Sequence, residues 1–84
     1  VNKKALENIM HSFLQYQKSE IDIGGLRKNI SAEVLNFEIL EDREIYYEVL
    51  KLESNIDSIQ FTVSKKDQYG AVENCLNTFL KRIS

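Results

Sequence analysis

Residues 43–54 read REIYYEVLKLES, and the fold turns on how this stretch is parsed. Taken alternately, Ile45, Tyr47 and Val49 fall on one side, and Glu44, Tyr46, Glu48, Leu50 and Leu52 on the other. A period of two, in a run rich in β-branched and aromatic residues, predicts a β-strand with one apolar face. The neighbours repeat the pattern. AEVLNFEIL (32–40) puts Leu35, Phe37 and Ile39 on one face, and DSIQFTVS (57–64) puts Ile59, Phe61 and Val63 there. The separators EDR (41–43) and ESNID (53–57) are short, as hairpins require. Turns centred on Asp42 and Ser54 bring three apolar rows into register: Leu35–Val49–Ile59, Phe37–Tyr47–Phe61 and Ile39–Ile45–Val63. Cross-strand pairs of this kind fix register.

Outside this region the period changes. In NKKALENIMHSFLQYQKS (2–19), Leu6, Ile9, Met10, Phe13, Leu14 and Tyr16 recur at helical spacing, which predicts a helix to about Gln17 or Ser19. EIDIGGLRKN (20–29) reads as an irregular connection, because Gly24-Gly25 tolerates positive φ. In SKKDQYGAVENCLNTFLKRIS (64–84), Tyr69, Val72, Leu76, Phe79 and Ile83 form a helical stripe widened by Cys75 and Leu80. Ser64 and Asp67 resemble a capping box at its start, and Lys81 and Arg82 favour the dipole at its end. Gly70 inside this helix suggests close approach to a neighbouring element. The expected architecture is therefore α+β, in the order α-β-β-β-α. A three-stranded antiparallel meander carries both helices on its apolar face, as a single domain over residues 1–84.

Composition narrows the class. The chain has 84 residues, 43% hydrophobic and 29% charged, which suits one folded domain. No apolar run reaches the roughly 18–20 residues of a membrane span, and VNKKALENIM lacks the apolar stretch of a secretory signal. The single cysteine, Cys75, precludes a disulfide framework and a thiolate zinc site within the chain. These features lead to the expectation of a cytoplasmic protein. The Asn29-Ile30-Ser31 sequon is then a chance match.

Chemistry is sparsely signalled. His11 is the one histidine, with no partner at useful spacing, and reads as a helix-surface residue. Cys75 lies on the stripe side of its helix and reads as packing. No phosphate loop, dinucleotide fingerprint or calcium loop is present in the sequence. The expectation is a non-enzyme without metal or cofactor.

Charge points instead to partners. Residues 31–64 carry eight acidic residues against Arg43 and Lys51, a net −6, while the segments on either side each carry +2. The outer face of the expected sheet is half acidic and half apolar. It offers Tyr46 as an anchor with Glu38, Glu44, Glu48 and Leu50 around it, the anatomy of a protein interface. This predicts a small protein-interaction module, an inhibitor or regulatory subunit of a larger protein. The partner is another protein or a second copy of the chain.

A second reading concerns nucleic acid. The α-β-β-β-α order resembles that of double-stranded-RNA-binding domains, and Ser64-Lys65-Lys66 opens the last helix as a basic segment does there. The resemblance is limited to these features. The positions that carry further lysines in that family read DQYGAVEN (67–74), and the loop between the first two strands is the acidic EDR. It implies at most weak duplex binding through Lys65 and Lys66, with Lys3 and Lys4 adding to it if the fold brings them together.

Overall fold

Read at helical spacing, the deciding stretch has a second pattern. Ile45, Val49, Leu52, Ile56, Ile59 and Val63 are separated by steps of four, three, four, three and four. Those steps set six apolar side chains along one helical stripe. The computed structural model, which describes residues 2–37 and 43–83, adopts this pattern. Arg43–Thr62 is one continuous helix, and the described residues contain no strand. The four helices are α1 (Asn2–Gln17), α2 (Ile23–Leu35), α3 (Arg43–Thr62) and α4 (Lys65–Ile83).

The expected α+β meander is thus replaced by an all-helical fold, and energetics account for the choice. The strand pattern and the helical pattern share Ile45, Val49, Ile59 and Val63. They differ over Tyr47 and Phe61 against Leu52 and Ile56. A meander would put Leu52 on its outer face and Ile56 in a turn, forgoing about 1.5–3 kcal/mol of burial for each. In α3 both are buried, at 2% and 0% exposure, and Tyr47 and Phe61 face solvent at 53% and 77%. Residues 43–63 also hold no glycine or proline to turn the chain. Leu35, assigned to the sheet core, is 87% exposed near the end of α2. Phe37, the next apolar residue of that segment, is buried. Ile39 lies outside the described residues.

Contacts between helix ends give the topology. Asn8, early in α1, donates through Nδ2 to Glu33 Oε1, late in α2, at 3.2 Å. Arg27, early in α2, pairs with Glu53 and Asp57 of α3 at 3.7 and 3.5 Å. Glu48, early in α3, reaches Arg82 near the end of α4 at 3.9 Å. Tyr16, at the end of α1, stacks on Tyr69 at the start of α4. Each pairing joins the earlier part of one helix to the later part of another, so the bundle runs up-down-up-down. One core unites all four helices: Ile9 and Phe13, Leu26 and Ile30, Val49 and Ile56, Val72 and Phe79.

The connections are built from caps. At the end of α1 the Ser19 amide donates to Tyr16 O at 3.0 Å and the Glu20 amide to Gln15 O at 2.8 Å. With Ser19 at φ 62°, this is a Schellman reversal. Asp22 then caps α2, its Oδ1 accepting from the Gly25 amide at 2.7 Å. The Gly24-Gly25 pair, expected in an irregular connection, therefore opens a helix, and neither glycine has positive φ. Their smallness serves close approach instead. A Cβ on Gly24 would lie 3.3 Å from Gln60 Nε2 of α3.

The turn between α3 and α4 is held from the far side. Gln68 Nε2 donates to Val63 O at 3.2 Å, satisfying a carbonyl left over at the end of α3. Ser64 and Asp67 do meet, although side chain to side chain, Ser64 Oγ donating to Asp67 Oδ2 at 2.9 Å. Gly70 lies on the exposed side of α4 with open space around it, so the expected close approach at this glycine is absent.

Candidate functional site

The helical fold dissolves the interface that a sheet would have offered. On α3, residues two apart are rotated by about 200° from one another rather than sharing a face. Tyr46 is half-buried, its ring 6.3 Å from Phe37 and 5.8 Å from Tyr47. It closes the lower end of the core and does not project as an anchor. Glu48 is largely covered and committed to Lys51 at 3.7 Å and to Arg82 at 3.9 Å. Glu44 is exposed and Leu50 half-buried. Glu38 lies outside the described residues. Tyr46 and Leu50 occupy the α2 side of α3, and Glu44 and Glu48 the α4 side, so the four do not form one patch.

The basic residues are also dispersed. Lys3 and Lys4 open α1 and Lys65 and Lys66 open α4, all four exposed. The start of α1 and the start of α4 lie at opposite ends of a molecule 38 Å long. The fold does not bring the two clusters together.

What the fold builds instead lies between α1 and α4. Each consecutive pair of helices runs in extended backbone contact, whereas the backbones of α1 and α4 stay apart along most of their length. At the upper end the gap is bridged by the Tyr16 and Tyr69 rings, with centroids 6.0 Å apart and planes at 22°. Beneath them a narrow crevice is walled by Phe13 and Gln17 of α1 and by Val72, Glu73 and Leu76 of α4. Above them opens a groove of about 410 Å³. The Schellman reversal and the α2 cap form one wall, with Ile21 and Ile23 as apolar surface and Glu20 and Asp22 as rim. Lys65 and Gln68 of α4 form the other wall.

An apolar centre with a few convergent polar groups suits recognition. Tyr69 is 48% exposed at the mouth of the groove. Burial, and then the nearby Tyr69 phenol, push the Tyr16 hydroxyl above the ordinary tyrosine range. Tyr16 therefore stays a neutral donor at physiological pH. Asp22 is already engaged as a cap, which leaves Glu20 and Lys65 as the charged groups open to a ligand.

Of these residues the sequence singles out Lys65 alone, and for nucleic acid. Tyr16 and Tyr69 read as ordinary stripe residues. The one available signal was the pair of polar-headed aromatics facing each other where two helical stripes meet, and it needed the α1–α4 pairing to be known.

Elsewhere the chemistry is sparse. Cys75 is half-buried, with its thiol pushed up by burial, the direction that lowers reactivity. It sits in a small α3–α4 crevice of about 130 Å³ with Glu48, Thr78 and Arg82. His11 is exposed on α1. Among the described residues no group of three or more His, Cys, Asp or Glu side chains could hold a metal ion, and no helix is long and apolar enough to cross a membrane. Comparison of the chain with protein-family models, curated proteins and solved structures returns no match.

Proposed function

We propose that this chain is a small cytoplasmic, non-catalytic protein-interaction module, an inhibitor or regulatory subunit of a larger protein. Its docking site is the Tyr16–Tyr69 groove. The observation that carries the reading is the groove itself. Two stacked tyrosines and two isoleucines make an apolar centre, and Glu20, Lys65 and Gln68 make a polar rim. Tyrosine is enriched among residues that dominate binding energy, because it buries a large surface with few torsions to freeze.

The test is capture from nuclease-treated source-cell lysate by tagged wild type, with Tyr69→Arg alongside. Tyr69 is about half exposed, so the variant should melt within a few degrees of wild type while a specific partner is lost. A partner retained equally by both proteins would place docking elsewhere. A collapse of the melting curve would show that Tyr69 is structural, and Lys65→Glu, at an exposed position on the rim, would then take its place.

A further inference from the structure

Resting on the reading of the Tyr16–Tyr69 groove as a docking site, we infer that its occupant is a short dipolar segment of a partner protein. An arginine of that segment is set against Glu20 and Asp22, an acidic side chain against Lys65, and apolar side chains lie between them. The depth of the groove limits what can enter. The crevice beneath the tyrosine stack has no room for a water molecule, so the occupant stays above it. The groove itself measures about 410 Å³. That is close to the volume of one helical turn, a cylinder about 10 Å across and about 5.4 Å long, and it suits roughly three or four residues.

Charge is divided across the groove. Glu20 and Asp22 lie on the wall made by the α1–α2 connection, and Lys65 lies on the facing wall. Among the described residues none of the three forms an ion pair. Asp22, although its Oδ1 caps α2, adds its charge to the acidic wall. The walls thus hold opposite charges that the groove keeps apart. A ligand of a single sign gains at one wall and loses at the other, whereas a dipolar one gains at both. Arginine suits the acidic wall because its planar guanidinium pairs with a carboxylate through two hydrogen bonds and also lies flat on an aromatic ring. Tyr69, 48% exposed, offers that ring at the mouth of the groove. Half-buried Ile21 adds apolar surface for the residues between the charges.

The experiment titrates wild type with three short peptides, acetylated and amidated so that their ends are neutral: Arg-Leu-Leu-Glu, Arg-Leu-Leu-Arg and Glu-Leu-Leu-Glu. The same series is run on Lys65→Glu and on Glu20→Lys, both at exposed positions. Amide chemical shifts report both the site and the affinity.

Wild type should bind the Arg–Glu peptide about threefold or more tighter than either like-charged peptide, with shifts at Glu20, Ile21, Lys65 and Tyr69. Lys65→Glu should turn the preference to the Arg–Arg peptide, and Glu20→Lys should turn it toward the Glu–Glu peptide. One ranking in all three proteins overturns the charge assignment, as does a like-charged peptide binding best to wild type. Shifts on another face, or no binding by any peptide up to about 5 mM, overturn the occupant. If a variant melts far below wild type, the wild-type ranking decides alone. Self-association of wild type that Tyr69→Arg abolishes would make a second copy the occupant and overturn the dipolar segment. The lysate capture reads independently of the peptides. A partner lost in Tyr69→Arg while no peptide binds would sustain the docking site and remove only this inference.

Discussion

The Tyr16 ring lies against the Tyr69 ring at 6.0 Å, and this contact ties the last turn of α1 to the first turn of α4. Tyr16 keeps its proton to higher pH in the folded chain than in the unfolded one, because burial and the adjacent phenol both oppose its ionisation. The stability this contributes is complete below the ordinary tyrosine range and is lost as pH climbs through the raised folded value. The melting temperature should therefore fall as pH rises above about 10. Tyr16→Phe should fall less steeply and lose the late phase of an ultraviolet phenol titration. The Cys75 thiol is shifted in the same direction, so both proteins are best compared with Cys75→Ser in place. An identical alkaline profile with and without the Tyr16 hydroxyl would refute the assignment.

Ser54 distinguishes the two parses of the central segment. In a meander it would sit at a hairpin turn, where proline is tolerated. In the structure it is exposed in the middle of the 20-residue α3. Ser54→Pro should cost about 3 kcal/mol or more by removing a helical hydrogen bond and clashing with the preceding turn. Circular dichroism at 222 nm and a thermal melt would show it, and a melt unchanged from wild type would count against a continuous α3.

Ile59 and Phe61 make the same distinction from the side chains. Alternation puts them on one face. The helix buries Ile59 at 8% exposure and leaves Phe61 at 77%. Ile59→Ala should cost about 2–4 kcal/mol, and Phe61→Ser no more than about 0.5 kcal/mol, by urea denaturation. Comparable losses at the two positions would mean that both are core.

Gly70 and Gly24 should respond differently to alanine. Nothing surrounds Gly70, so Gly70→Ala should gain close to the full helix-propensity difference of about 1 kcal/mol. In a chain of this size that is about 4–8 °C in melting temperature. At Gly24 the added methyl meets Gln60 Nε2 at 3.3 Å, so Gly24→Ala should gain markedly less. Equal shifts in two parallel melts would argue against the close crossing of α2 and α3.

The two outer helices were legible because their apolar residues fit only one period. α1 ends at Gln17, within the range its spacing predicts, and Val72, Leu76 and Phe79 of the α4 stripe are buried. α3 was ambiguous because Ile45, Val49, Ile59 and Val63 satisfy both periods at once. Ile56 decides between them, an apolar residue that strand pairing could place only in a turn. α2 was hidden by Gly24-Gly25, which reads as a break until Asp22 is recognised as the cap that lets a helix begin there. The candidate site was illegible for a further reason. Its walls come from three separated segments, and no single window of sequence contains both tyrosines.

The order of helix packing also bears on how the chain reaches this state. Every extended helix contact joins elements adjacent in sequence: α1 with α2, α2 with α3, α3 with α4. Each can form by closing a short hairpin, with little entropy lost to loop closure, so the chain should collapse within microseconds to milliseconds. The two ends of the sequence meet through side chains, in the Tyr16–Tyr69 stack and in the core that Ile9 and Phe13 share with Val72 and Phe79. That join should be the last to form and the first to open in hydrogen exchange, leaving an edge that parts readily while the other three sides hold.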